Sequence, residues 1–355
     1  MIYLLSFIVV LGILIFVHEF GHFIAARRLG VGVTEFSFGF GPKLFGVKRG
    51  ETEYRLSAVP LGGYVNLVGG DSGEEDVPPE LSEKSFTTKP AWVKIAVIAA
   101  GPACNLIFAV FVFWLVFLGG VPALAPIIGQ VLPDSPAERA GLRQGDNVVR
   151  IDGRAINDWE ELAGRIRSGS PDTPLVFTIN RDGQEITASA TPEMQEGSTI
   201  FGEKVFEPKI GIAASNEIIQ HESTFLSAGW RGLRETGKLM YLTVMTVVKL
   251  VTRVLPSNTL GGPILIAQMA GDQARQGAPA FLYFLGLLSV NLGILNLLPV
   301  PILDGGHIVF FSIEGVIGRP LSTRFRGVAQ RVGLALILML TALVFYNDIV
   351  RLLTR

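Results

Sequence analysis

Long apolar segments alternate with polar stretches along this chain, and four of them are placed as membrane-crossing helices. They lie at about residues 1–26, 92–118, 281–303 and 332–345. Since a helix rises about 1.5 Å per residue, the first is long enough to cross a hydrocarbon core. The pattern therefore predicts a multi-pass α-helical membrane protein.

Two aromatic-rich stretches, 34–42 and 53–65, follow the first apolar segment. Their alternation, interrupted by Gly-Pro and Gly-Gly pairs, is typical of short strands and hairpins. Two placements stay open: a small membrane-associated β-sheet that dips in beside the first helix, or a hairpin on the surface. The acidic, proline-containing residues 71–89 lack periodicity and are predicted to form a loop.

The polarity changes between residues 125 and 215, where alternation and turn residues predict a compact β-rich domain of about 90 residues. In order, its predicted elements are a strand from Ile128, a short helix ending at Gly141, a strand at 147–151, a turn at Asp152-Gly153, a helix at 159–167, and strands at 175–180 and 185–190.

Residues 223–255 have a helical pattern in which basic residues are interleaved with Leu, Met, Val and Trp. The basic residues are Arg231, Arg234, Lys238, Lys249 and Arg253. This favours an amphipathic helix at the membrane surface over a full span. The chain thus divides into an N-terminal membrane half (1–120), the β-rich domain (125–215), the amphipathic helix (223–255) and a C-terminal membrane half (257–355).

Composition supports this class, because 49% of residues are hydrophobic and only 17% are charged, against about 25% charged in a soluble protein. The net charge of −1 gives no reason to expect a nucleic-acid partner. The single cysteine, Cys104, excludes an internal disulfide and a multi-cysteine zinc site. We expect it to be a buried, inert residue.

Arginines flank two of the apolar segments and predict the orientation. They are Arg27 and Arg28 after the first, and Arg319, Arg324, Arg326 and Arg331 before the last. Such residues favour the cytoplasmic side. Four spans that start outside place both flanks in the cytoplasm and the β-rich domain outside it.

The first apolar segment carries His18-Glu19-Phe20-Gly21-His22, and no charged residue precedes it. Two histidines four apart on a helix face the same way, so both rings can bind one Zn²⁺ while the glutamate reaches a water there. A chance pattern and a signal peptide are the alternatives. The signal peptide fits poorly, because no Lys or Arg precedes the run and Glu19 interrupts it. An ionisable group in an apolar segment is normally paired, metal-bound or facing water.

The third apolar segment ends in Asn296-Leu-Leu-Pro-Val-Pro-Ile-Leu-Asp304-Gly-Gly-His307. Asp304 is a candidate third ligand, since a catalytic zinc takes three protein ligands and leaves one position for water. Its alternative is a loop aspartate at a helix end, and that of His307 is a polar residue beyond the site. Asn105 must find a partner at membrane depth, through helix packing or by lining the site.

Both motifs, in this order and in apolar settings, resemble the site-2 protease family, similar to bacterial members that regulate sigma factors. Ala140-Gly141-Leu142 with Gly145-Asp146 makes the β-rich domain resemble a PDZ domain of bacterial proteases, with its peptide groove near 208–212. A lid or spacer that holds no peptide is the alternative. The best-known Gram-negative members carry two tandem PDZ domains, and this chain has room for one.

The resemblance implies an intramembrane zinc metalloprotease of the bacterial inner membrane. His18, His22 and Asp304 would bind zinc, with Glu19 as general base. Substrate would contact Asn296 and an edge strand in 36–42 that contains Phe38, Gly39, Phe40 and Gly41. Implied substrates are single-pass membrane proteins with helix-weakening residues, such as a trimmed anti-sigma factor or remnant signal peptides.

Two other classes of membrane protein are alternatives to a protease. A non-catalytic membrane PDZ scaffold would need no metal. An ion-coupled transporter would usually show inverted repeats and more spans, and neither is detected. A soluble zinc protease is excluded by the apolar composition.

Overall fold

The computed structural model describes residues 1–70, 79–199, 203–221 and 223–354. The chain forms two compact units, one of Met1–Phe117 with Phe225–Arg355 and the other of Leu118–Thr224. Part of the predicted loop, residues 71–78, lies outside the described residues, and a short 3-10 helix follows it at Pro79–Lys84.

The first unit is mostly helical. Its helices are α1 (Ile2–Arg28), α2 (Ala91–Leu118, which ends one residue into the second unit), α5 (Phe225–Val251), α6 (Pro263–Gln276), α7 (Ala278–Asn296), α8 (Asp304–Ile317) and α9 (Thr323–Leu353). Among the described helices, α1, α2, α7 and α9 are long and apolar enough to cross a membrane. The chain is therefore a membrane protein with four candidate spans.

The ends of two predicted spans were wrong. Helix α7, the third predicted span, ends at Asn296 instead of continuing to 303. Turns occupy the stretch that carries Pro299 and Pro301, because proline cannot continue a helix. The last helix, α9, extends beyond 332–345 at both ends. Its first turns contain Arg324 and Arg326, so the apolar segment alone does not mark where the helix begins.

The strands β1 (Val33–Arg49) and β2 (Thr52–Leu67) are longer than the predicted short strands, and they form an antiparallel pair with an irregular register. Residues 35–38 of β1 pair on one side with 63–66 of β2 and on the other with 53–56. The start of β1 is therefore an inner strand of this sheet. Its edges are the end of β2 (63–67) and the second half of β1 (43–49).

Helix α5 packs lengthwise against two of the spans. The hydroxyl of Tyr283 on α7 donates to Glu235 at 2.7 Å, and Thr243 donates to Asn291 of α7 at 2.7 Å. The two contacts are eight residues apart on each helix, so α5 and α7 run parallel. Gly232 lies against the α2 backbone near Trp114. The placement of α5 at the membrane surface stays a prediction.

The second unit is β-rich, and its elements are β3 (Val121–Leu124), β4 (Ile128–Val131), α3 (Pro136–Arg139), β5 (Asn147–Ile151), β6 (Arg154–Ala155), α4 (Trp159–Arg167), β7 (Leu175–Arg181), β8 (Gln184–Ala190), β9 (Glu193–Ser198), β10 (Lys204–Lys209), β11 (Ile212–Ala214) and β12 (Ile218–His221). Strands β6-β5-β7-β8 form one sheet, and β3 with β12, β4 with β11 and β9 with β10 form pairs.

One apolar core holds this unit together, with Ile151, Leu162 and Phe177 all fully buried in it. The predicted turn between β5 and β6 has positive φ at both Asp152 and Gly153, as a tight hairpin requires. Helix α4 begins where Asp158 caps it, its side chain accepting from the N–H of Glu161 at 2.7 Å.

Candidate metal centre

Helix α1 holds His18 and His22 on one face, and both rings are buried. Their Nε2 atoms lie 3.2 Å apart. Two nitrogen lone pairs at this separation repel each other unless a proton or a cation lies between them. The helix therefore presents two nitrogen donors to one point.

Asp304 begins α8, directly after the turns that end the third span. Gly305 and Gly306 allow this helix to begin so close to the preceding turn, because a Cβ on either would meet a backbone oxygen of Leu297 or Val300 within 2.3 Å. The carboxylate Oδ2 of Asp304 lies 3.1 Å from Nε2 of His18 and 3.7 Å from Nε2 of His22. The structure thus brings together three residues from the two ends of the chain.

The three donor atoms match the shape of a zinc site. Ligands of a tetrahedral zinc at about 2.0–2.1 Å lie about 3.3 Å from one another, and the three separations here are 3.1, 3.2 and 3.7 Å. Among the described residues, the buried Oδ2 of Asp304 has no partner with hydrogen-bond geometry, although both imidazoles are near it. A buried carboxylate oxygen without a hydrogen bond, between two imidazole nitrogens, fits a metal ligand.

One face of α2 supports both imidazoles. Nδ1 of His22 donates to the backbone oxygen of Val97 at 2.9 Å. The lone pair of this ring is therefore on Nε2, the atom nearest Asp304. Gly101 packs directly against both rings, and the carboxamide of Asn105 lies 3.3 Å from Nδ1 of His18. Asn105 therefore borders the metal site. Val97 and Gly101 were not predicted to do so, although Val97, Gly101 and Asn105 have the four-residue spacing of one helical face.

Glu19 and Asn296 complete the surroundings. The half-buried carboxylate of Glu19 lies within hydrogen-bonding range of the backbone N–H of Val65, and its stem is close to Gly63. The amide Nδ2 of Asn296, at the end of α7, lies 3.4 Å from Nε2 of His18. Both side chains lie beside the donor triangle.

A cavity of about 610 Å³ opens beside the donor triangle. Its lining includes Glu19, His22 and Asp304 as well as residues 65–70, at and after the end of β2. His307 also lines the cavity. The cavity is therefore lined both by the ionisable cluster and by the end of β2.

The predicted substrate strand at 36–42 is not at this edge. Phe38 pairs with both Gly63 and Leu56, so it lies inside the sheet, and it packs against Phe16 of α1. Gly39 and Gly41 have φ of +95° and +85°, which makes this stretch a bend. Residues 38–41 are not among the described residues that line the cavity. The edge prediction was wrong for residues 36–38, because this part of β1 folds between two parts of β2, whereas Phe40 pairs only with Val59. Substrate contact by Phe38, Gly39, Phe40 and Gly41 stays a prediction.

Cys104 is half-buried, not fully buried as expected. It precedes Asn105 on α2, and a Cβ on Gly21 of α1 would lie 2.8 Å from the Cys104 Cβ. Cys104 therefore contributes to the close packing of α1 on α2.

Comparison with known proteins places this site in a family context. A family model described as "Peptidase family M50" matches residues 6–340. A Mesorhizobium japonicum protein named as a zinc metalloprotease is 37% identical, with 98% of each chain covered. The regulators of sigma-E protease of Salmonella typhimurium and Escherichia coli are 34% and 33% identical, again over 98% of each chain.

The alignments differ in length. The alignment with the Escherichia coli protein runs over 449 positions, while this chain has 355 residues, so at least 94 of those positions have no counterpart here. The alignment with the Mesorhizobium japonicum protein runs over 360 positions. The alignments with the enterobacterial relatives are therefore longer by about 90 positions in total than the alignment with the Mesorhizobium japonicum protein.

Proposed function

Since this chain belongs to peptidase family M50, the site-2 protease family, and is a zinc metalloprotease, we propose that it hydrolyses peptide bonds within transmembrane segments of single-pass membrane proteins. The main support is the convergence of His18, His22 and Asp304 on one point beside helix α1, which carries both histidines and is apolar enough to span a membrane. Family membership also argues against the non-catalytic scaffold considered from the sequence.

We infer that His18, His22 and Asp304 hold the zinc, and that Glu19 is the general base. When bound, zinc supplies a Lewis acid toward the scissile carbonyl and makes water a nucleophile near neutral pH. Glu19 accepts the proton of the attacking water and returns it to the leaving amide nitrogen. Asn296 is close enough to the imidazole of His18 to donate a hydrogen bond to substrate backbone beside the metal.

The same proposal places the substrate along the edge of β2 at 63–67. A peptide bond in a helix is reached only after local unwinding, and the freed backbone groups need new partners in an apolar environment. An extended segment that adds to a sheet edge gains those partners. The edge at 63–67 supports this placement, because it is next to Glu19 and its end lines the cavity with Asp304.

Candidate substrates are single-pass proteins with helix-weakening residues, such as a trimmed anti-sigma factor or signal-peptide remnants. The similarity to two proteins named regulator of sigma-E protease supports the first. The second unit would be a single PDZ domain on the outer face of the bacterial inner membrane, where it excludes substrates with uncut ectodomains. Its size and β-rich order support this assignment.

A test of the proposed activity compares wild type with Glu19→Gln on a tagged single-pass substrate in proteoliposomes. Glu80→Gln, on the exposed 3-10 helix, is the matched control. We expect Glu19→Gln to lower the cleavage rate by about 10²–10⁴-fold, the usual contribution of a general base, while it still binds zinc. Cleavage by Glu19→Gln at the rate of Glu80→Gln would refute the role of Glu19.

A further inference from the structure

Asn105 is an uncharged polar residue in the middle of an apolar span, and its side chain is completely buried. Burying a carboxamide without hydrogen bonds costs free energy. Among the described residues, the only side chain bonded by this carboxamide is the imidazole of His18, 3.3 Å away at Nδ1. The buried Oδ1 of Asn105 has no hydrogen-bond partner there. The contact with His18 is therefore the interaction that can offset the cost of burying the Asn105 carboxamide.

The backbone around Asn105 is held in place from the opposite side. The hydroxyl of Ser289 on α7, itself fully buried, donates to the backbone oxygen of Asn105 at 2.8 Å. This bond ties α2 to the helix that ends at Asn296. The carboxamide therefore projects toward His18 from a backbone that two packed helices fix.

The two imidazoles are arranged alike. Each directs Nε2 toward Asp304, and each has its nearest Nδ1 partner on α2. Nδ1 of His18 also lies 3.5 Å from Nδ2 of Asn296 at the end of α7. For His22 the α2 partner is the oxygen of Val97, which can only accept, so Nδ1 carries the proton and Nε2 is free to bind a metal. His18 needs the same tautomer, and hence an acceptor at Nδ1.

We propose that Asn105 is a positioning residue that holds the metal-binding tautomer and ring orientation of His18 by accepting a hydrogen bond from its Nδ1–H. The carboxamide provides this acceptor after a half-turn that exchanges Oδ1 and Nδ2, two atoms that are assigned from their surroundings. Outer partners of this kind fix ligand histidines in metal sites. The inference rests on the proposed function, because it takes His18 to be a zinc ligand.

The test measures zinc affinity of the purified full-length protein in detergent, by competition with a chromophoric chelator. Asn105→Leu keeps the approximate volume and removes the acceptor, whereas Asn105→Asp keeps an acceptor. Asn347→Leu is the matched control, since Asn347 is a buried asparagine of α9 that contacts the backbone oxygen of Leu260. If Asn105→Leu does not fold, Asn105→Ala replaces it in the same comparison.

We expect Asn105→Leu to weaken zinc binding by about 10–100-fold, the range for loss of an outer partner. Asn105→Asp should bind at least as tightly as wild type, and Asn347→Leu should match wild type. The inference is overturned if Asn105→Leu stays within about threefold of wild type, or if Asn105→Asp is as weak as Asn105→Leu. Failure of the proposed function gives a different result. In that case wild type would bind no zinc, or His22→Ala would bind as much zinc as wild type.

Discussion

Gly101 of α2 is the position where a single methyl group most directly tests the metal centre. A Cβ added there would lie 2.4 Å from Nε2 of His22 and 2.9 Å from Cε1 of His18. Ordinary contacts begin at 3.4 Å, so the His22 ring must move by about 1 Å, or the two helices must separate. Metal sites tolerate donor displacements of about 0.2 Å. The substitution Gly101→Ala should therefore disrupt the centre.

The expected cost follows from the same geometry. Overpacking a close-packed interior costs about 1–3 kcal/mol, and about 2.7 kcal/mol corresponds to a 100-fold change in an equilibrium constant. If the strain is relieved by moving the imidazoles, we expect Gly101→Ala to weaken zinc binding by about 100-fold. If it is relieved by separating α1 from α2, the unfolding temperature falls instead.

The assay compares zinc affinity and thermal unfolding of Gly101→Ala with those of Gly327→Ala, in detergent. Gly327 is a suitable control because it lies in α9 with nothing within 4 Å of an added Cβ, and alanine there should favour the helix by about 0.5–1 kcal/mol. If Gly101→Ala keeps both the zinc affinity and the unfolding temperature of wild type, the close contact between Gly101 and the two rings does not exist.

Three further predictions concern other parts of the chain. Val65→Pro removes the backbone N–H that lies within hydrogen-bonding range of Glu19 on the cavity-lining end of β2. Cleavage of an extended substrate should therefore fall while zinc binding persists, and cleavage at the wild-type rate would argue against a role for this edge in the reaction. Asp348, buried on α9, accepts hydrogen bonds from three backbone N–H groups at the start of α6. Asp348→Asn should therefore lower the free energy of unfolding by about 2 kcal/mol, and an unchanged unfolding temperature would contradict this prediction. Arg55 and Lys43 hold the pKa of Glu53 at about 2, below its ordinary value of 4.5. Because the pKa is lowered in the folded state, the stabilisation of the hairpin by Glu53 should be complete above pH 4.5 and disappear toward pH 2. A Glu53 carboxylate infrared band that titrates near pH 4.5 would refute this.

The three donor residues that the structure brings together could be predicted from the sequence because their motifs are local. His18 and His22 need only one helical turn to share a face. Helix α4 was predicted with its observed bounds, since Asp158 is a local capping signal at its start. In each case the deciding interaction is within a few residues along the chain.

Features that depend on tertiary packing could not be predicted in the same way. Strand β1 becomes an inner strand because β2 folds around it, and alternation of side chains is the same for an inner and an edge strand. Asn105 could be recognised as a polar residue in a span, but its partner, His18, is 87 positions away. The contact of Gly101 with both imidazoles likewise depends on the packing of α2 against α1.

The metal centre is tested most directly by zinc K-edge X-ray absorption of the purified full-length protein, with wild type beside Asp304→Ala. We expect one bound zinc with two imidazole nitrogens and a carboxylate oxygen at about 2.0–2.2 Å in wild type. Asp304→Ala should lose that oxygen or the zinc itself. Identical spectra from the two proteins would show that Asp304 does not hold the metal, and would contradict the central claim that the two ends of the chain form one metal centre.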